Sequence, residues 1–158
     1  MPDWLPPLIL LEQFNGDWNA YLAAIYAKFQ QDFLGHRPPF QGRRMGLKRQ
    51  PIEEGKEATF WHFVSTGNVE ADRIIEPRRC ERIAWPRAII DHCTDPAIKM
   101  WSEERKDSVN IHLWCEEAEY LVVLADRGEF VLPWTGYPVE REHQREKLNR
   151  RWEEFGGP

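Results

Sequence analysis

Between Ile98 and Trp134 the chain repeats one pattern four times, and this repetition restricts the fold more than any other feature. Ile98 to Glu103, Ser108 to Cys115, Tyr120 to Ala125 and Glu129 to Trp134 are short runs rich in aromatic and β-branched residues. They are separated only by Arg105-Lys106-Asp107, Glu116 to Glu119 and Asp126-Arg127-Gly128. Strands joined by turns this short lie antiparallel to their neighbours, which predicts a four-stranded antiparallel meander. In the second run Val109, Ile111, Leu113 and Cys115 share one face, and Asn110, His112 and Trp114 share the other. The first of these is the core face.

Helical signals flank the meander. Asn15-Gly16-Asp17 leads into Trp18 to Leu34, where Tyr21, Ile25, Phe29 and Phe33 recur at helical spacing, Asp17 can cap and Gly35 closes. Residues 36–57 mix prolines, glycines and charges around one short strand candidate, Arg44 to Arg49. Ala58 to Thr66 is compact and aromatic between Gly55 and Gly67, and its composition suits strand or helix equally. A further helix is predicted from Arg79 to about Cys93, starting or kinking at Pro86. A last helix runs from about Val139 to Phe155 with Leu148, Trp152 and Phe155 as its apolar stripe. The class is α+β: N-terminal helices, the meander, then a C-terminal helix. The 158 residues suit a single domain, mainly helical over 1–96, meander over 97–138 and helix over 139–155.

Charge is uneven along the chain. The formal net charge is −5, yet Arg37, Arg43, Arg44, Lys48 and Arg49 follow one another without an acidic residue. Five arginines between Arg73 and Arg87 face only Glu76 and Glu81 there. Each stretch is either a solvated face with surface ion pairs or a docking site for a polyanion. No apolar run approaches the about 20 residues of a bilayer span, so no membrane association is expected. Leu8-Ile9-Leu10-Leu11 is short for a signal sequence, and three cysteines without framework spacing suit a reducing compartment; a cytoplasmic location is the expectation. Cys80, His92, Cys93, His112 and Cys115 lack the spacing of a zinc site, and no phosphate-loop or dinucleotide motif is present, so no metal or cofactor is implied.

The series Tyr120-Leu-Val-Val-Leu-Ala-Asp-Arg127-Gly-Glu-Phe-Val-Leu-Pro-Trp-Thr135-Gly-Tyr137-Pro138-Val, followed by a charged helix, resembles the end of the phage-associated members of the barnase, EndoU, colicin and RelE-like nuclease superfamily. A strand, an arginine-glycine hairpin and a last strand closing in Thr-x-Tyr-Pro are typical there. The resemblance covers residues 98–150, with His62 in its aromatic segment as the one point upstream. It implies an α+β fold and metal-independent cleavage of single-stranded RNA by attack of the 2′-hydroxyl.

Such cleavage needs an acid, a base and cations or donors around the phosphorane. The resemblance favours His62 in a catalytic role, and the residues themselves offer Thr135 as a donor to the phosphate, Tyr137 as a stacking or proton-donating phenol and Arg79 as a charge stabiliser to complete the catalytic set. Arg82, Lys99, His112 and Arg127 are candidates for RNA binding. Each has a structural alternative: His62 as a core histidine, Thr135 in an ordinary strand position, Tyr137 packed on the following helix, the arginines solvated. Gly136 would keep the approach open, or Pro138 simply ends the strand. Trp101, Trp114 and Trp134 serve as core or as platforms for bases. His36, His92 and His143 are expected at the surface. The rival reading is a noncatalytic α+β module that binds RNA or a protein partner, an inhibitor among the possibilities; the net charge of −5 favours it, since ribonucleases gain from attraction to polyanions.

Overall fold

The computed structural model describes residues 1–67 and 72–156. Helix α1 (Trp18–Phe29) is capped by Asp17, whose carboxylate accepts from the Ala20 amide at 3.2 Å. A wider turn, Gln30–Leu34, continues it to Gly35, whose amide donates to the Gln30 carbonyl. The two-residue strand β1 (Arg44–Met45) follows, then α2 (Ala58–Val64), β2 (Ser65–Thr66) and β3 (Ile74–Ile75). The helix expected over Arg79 to Cys93 is two short helices, α3 (Pro77–Glu81) and α4 (Trp85–Asp91). Pro77 opens α3 and Pro86 is the second residue of α4, both within a first turn, where proline's missing N–H costs nothing.

The meander comprises β4 (Ile98–Arg105), β5 (Ser108–Cys115), β6 (Tyr120–Asp126) and β7 (Phe130–Pro138), antiparallel in sequence order. The sheet has five strands rather than four: β1 lies parallel to β7, with Arg44 opposite Phe130 and Met45 opposite Val131, giving the order β1-β7-β6-β5-β4. A two-residue strand carries too little periodicity to declare its partner. β2 and β3 form a separate antiparallel pair. Helix α5 (Glu142–Phe155) begins three residues later than predicted, since the chain stays extended to Arg141. No helix among the described residues is long and apolar enough to cross a membrane.

The two sheet faces carry separate cores. Ile111, Leu113, Val122 and Leu124 meet Phe29, Phe33, Phe60 and Phe63 from α1, its wider turn and α2. The phenyl rings meet at centroid distances of 5.4 Å (Phe29–Phe60) and 5.5 Å (Phe33–Phe63). Full burial of each such side chain is worth about 1.5–3 kcal/mol. This surrounding decides α2: six of its seven residues are buried, a demand that helix packing meets and a half-exposed strand would not. The opposite face holds a smaller cluster, Trp101, Trp114, Leu121, Val123 and Val139, closed by Leu148 and Trp152 of α5.

Candidate functional site

Strand β7 passes through Thr135, Gly136 and Tyr137 without turning a corner, so the polar pattern lies inside the sheet. Its irregularity comes earlier. Val123 pairs with Thr135 but Leu124 pairs with Pro133, leaving Trp134 as an extra residue in a bulge. A bulge re-aims its side chain, and here the indole leaves the strand's alternation and remains half-buried at the surface.

Two cations flank that indole. The Lys48 ammonium lies 5.1 Å and the Arg127 guanidinium 5.9 Å from the Trp134 ring centroid. Lys48 is held by α2, because the Thr59 hydroxyl donates to its carbonyl at 2.9 Å and accepts from its amide at 3.2 Å. Arg127 sits in the β6–β7 turn, where Gly128 has φ +84° and Asp126 accepts from the Gly128 amide at 2.8 Å. Arg43 clamps this turn by donating to Asp126 at 2.7 Å and to the Gly128 carbonyl at 3.0 Å. One step along the edge, the Arg44 guanidinium lies 5.0 Å from the Phe130 centroid, a consequence of their register across β1 and β7. Among the described residues Arg44, Lys48 and Arg127 have no carboxylate within ion-pair distance, while Arg43 is paired with Asp126.

The four residues assigned catalytic roles meet beside this edge. The His62 ring, with the residue 6% exposed, stands edge-on to Trp134 at 5.6 Å. Thr135 meets its backbone rather than its imidazole: the Thr135 hydroxyl donates to the His62 carbonyl at 3.1 Å. Arg79 donates to the carbonyls of His62 at 3.2 Å and Ser65 at 2.9 Å, approaches Thr135 Oγ1 at 3.5 Å and lies 5.0 Å over the Tyr137 ring. The guanidinium therefore satisfies carbonyls left over at the end of α2 and fastens that helix to β7. Burial pulls Arg79 below the usual arginine range and pushes the Tyr137 phenol upward.

Gly136 has a packing role. A Cβ there would lie 2.6 Å from the Tyr120 hydroxyl and 3.3 Å from Pro86, so the space beside it is already filled from within. The remaining candidates lie apart. Arg82 rests over Trp85 at 5.1 Å beside Glu81. Lys99 bonds Glu116 at 2.8 Å and Asn149 at 3.1 Å and covers Trp152. His112 stacks on Trp101 at 5.0 Å and faces Glu103. Trp101 and Trp114 are core. Of the surface histidines, His36 and His143 are exposed, whereas His92 stacks on Trp4 at 4.4 Å.

Sequence reasoning missed Lys48 and Arg44 as members of this site. Their signal was the acid-free run from Arg37 to Arg49, which lacked the β1–β7 pairing that sets Arg44 against Phe130 and the α2 contact that holds Lys48 by Trp134. These elements define an α+β protein with a mixed five-stranded sheet and a cationic, aromatic edge. No family model, curated protein or solved structure matches the chain.

Proposed function

We propose that the β1–β7 edge binds single-stranded RNA. The observation that carries this reading is the arrangement of Arg44, Lys48 and Arg127, each over an aromatic ring and none paired with a carboxylate among the described residues. Cations that follow a phosphate backbone, interleaved with rings on which bases stack, suit a flexible single strand. The net charge of −5 does not oppose it, because attraction at short range depends on local charge once salt screens beyond about 8–10 Å.

Anisotropy titration of a labelled oligoribonucleotide at several salt concentrations tests the reading. Lys48→Gln, Arg127→Gln and Arg44→Gln should each lower the slope of log K against log salt by about 0.7. Trp134→Ala should cost about 1–3 kcal/mol with little change in slope. Wild-type protein that ignores RNA at low salt, or variants that all bind as wild type, would overturn it.

Metal-independent cleavage at the same edge is the second reading, favoured by the meeting of His62, Arg79, Thr135 and Tyr137. Its weakness is that Thr135 and Arg79 already serve the His62 carbonyl, so a phosphate must compete for both. Cleavage that persists in chelator and leaves 2′,3′-cyclic phosphate ends would establish it. A folded His62→Ala variant should then lose about 10²-fold or more in rate while still binding RNA.

A further inference from the structure

A cleft lies on the face of the sheet covered by α5; it shares Tyr137 with the cleavage reading but none of the cations of the proposed RNA edge. It encloses about 230 Å³ between α5 and the sheet, lined by Arg105 at the end of β4 and by Lys147, Leu148 and Arg151 on one side of α5. Lys147 and Leu148 flank that side because they stand four and three residues before Arg151 on the helix. The sheet contributes Glu103, Leu121 and Tyr137.

The charges in this cleft do not cancel. Its lining holds three cations and one carboxylate, a net charge of +2. Glu103, 6% exposed, is fully engaged: one oxygen bonds Arg151, and the other accepts from Trp101 Nε1 at 3.1 Å and lies 3.3 Å from His112 Nε2. Arg105 and Lys147 are left over. Neither has an ion-pair or hydrogen-bond partner among the described residues, although α5 carries many acids and the chain is acidic overall. Two free cations beside an apolar wall call for a dianion with an apolar body.

We infer that this cleft binds a small organic phosphate monoester, its phosphate between Arg105 and Lys147 and its ring against Leu148 and Tyr137. A monoester carries close to two negative charges at neutral pH, which matches the free cations, whereas a carboxylate carries one. Arg105 can hold two phosphate oxygens in a planar fork, and Lys147 supplies a compact second charge. Arg151 is already committed to Glu103 and shapes the wall.

Calorimetric titration with phenyl phosphate as the probe tests the assignment, with inorganic phosphate and benzoate as controls. Wild type should bind phenyl phosphate saturably and more tightly than either control. Arg105→Gln and Lys147→Gln should each weaken it by about tenfold. Both residues are exposed and unpartnered, so these variants keep the fold. Leu148→Ala should weaken phenyl phosphate several-fold and leave inorganic phosphate unchanged, since only the ring touches that wall. The same chemistry occurs on a free mononucleotide and at the 5′ end of an RNA strand. Displacement by adenosine monophosphate alone supports the site with a free ligand; displacement by a 5′-phosphorylated trinucleotide but not by its 5′-hydroxyl form supports it with a strand end. No saturable binding, benzoate binding as tightly as phenyl phosphate, or glutamine variants equal to wild type would overturn the proposal.

Discussion

Tyr120 and Gly136 show how closely one residue's identity depends on another's position. Tyr120 is fully buried, its ring edge-on to Trp85 at 5.3 Å, and its hydroxyl has no hydrogen-bond partner among the described residues. A buried hydroxyl without a partner adds the cost of desolvation and returns nothing, so Tyr120→Phe should leave stability unchanged or raise it. Gly136→Ala should be destabilising by about 1–3 kcal/mol, because its methyl would stand 2.6 Å from that same hydroxyl. Combining them should recover part of the loss, although the ring carbon behind the hydroxyl and Pro86, both at 3.3 Å, still press on the methyl. Urea midpoints of the two single variants and the double variant measure this. Strictly additive losses would mean that the hydroxyl is not what Gly136 accommodates. Nothing in Thr135-Gly136-Tyr137-Pro138 read alone discloses this role, since Tyr120 reaches Gly136 through the β6–β7 pairing.

At the scale of elements, α5 is fastened to the sheet by polar links more than by depth of burial, and none of its residues is buried. Asn149 accepts from Trp114 Nε1 at 3.0 Å and from Lys99 at 3.1 Å and donates to Glu116 at 2.7 Å, while Arg151 bonds Glu103. His112 lies beneath this latch. Burial draws its imidazole below the ordinary histidine value, Arg151 and Arg105 act in the same direction, and Glu103 opposes them. Below about pH 6.5 the unfolded chain therefore takes up a proton that the folded chain resists. Stability should rise with pH across the window from the depressed folded value to about 6.5, and fall on acidification through it. His112→Phe keeps a ring on Trp101 and removes the proton, so its urea midpoint should fall less than that of wild type between pH 7.5 and 5. Equal losses in both proteins would show that other groups carry the acid sensitivity. The sequence placed His112 with Asn110 and Trp114 on the face away from the main core, correctly, but the partners Glu103 and Arg151 belong to β4 and α5.

For the whole molecule, the larger core ties α1, α2, α4 and the sheet into one unit, while α5 rests on the smaller cluster alone. Amide exchange should follow that division. Amides of β5 and β6, paired on both sides, should exchange only through global unfolding, whereas those of α5 should open at lower free energy. Exchange monitored residue by residue checks this; α5 amides as slow as those of β6 would mean that the two faces unfold as one. The RNA edge and the phosphate cleft share β7, which carries Phe130 and Trp134 at the first and Tyr137 at the second, but the edge leans on β1 and α2 and the cleft on α5 and β4.

The amino-acid order by itself determined the α+β class, the order and turns of the meander strands with the alternating faces of β5, and the capped start of α1. These depend on local periodicity and turn chemistry, which neighbouring residues carry in full. It did not determine the reach of β7, read as ending at Trp134 and found to run on to Pro138 through a bulge. Tertiary structure decided the rest. It made Ala58–Val64 a helix because almost every side chain there is buried, and it laid β1 along β7 because main-chain pairing of two residues leaves no pattern to read. It also turned Arg79 and Thr135 toward the His62 carbonyl and left Arg44, Lys48 and Arg127 on aromatic rings. Contacts such as Thr135 with His62, Arg44 with Phe130 and Lys48 with Trp134 join residues far apart in the chain, and no local rule encodes that meeting.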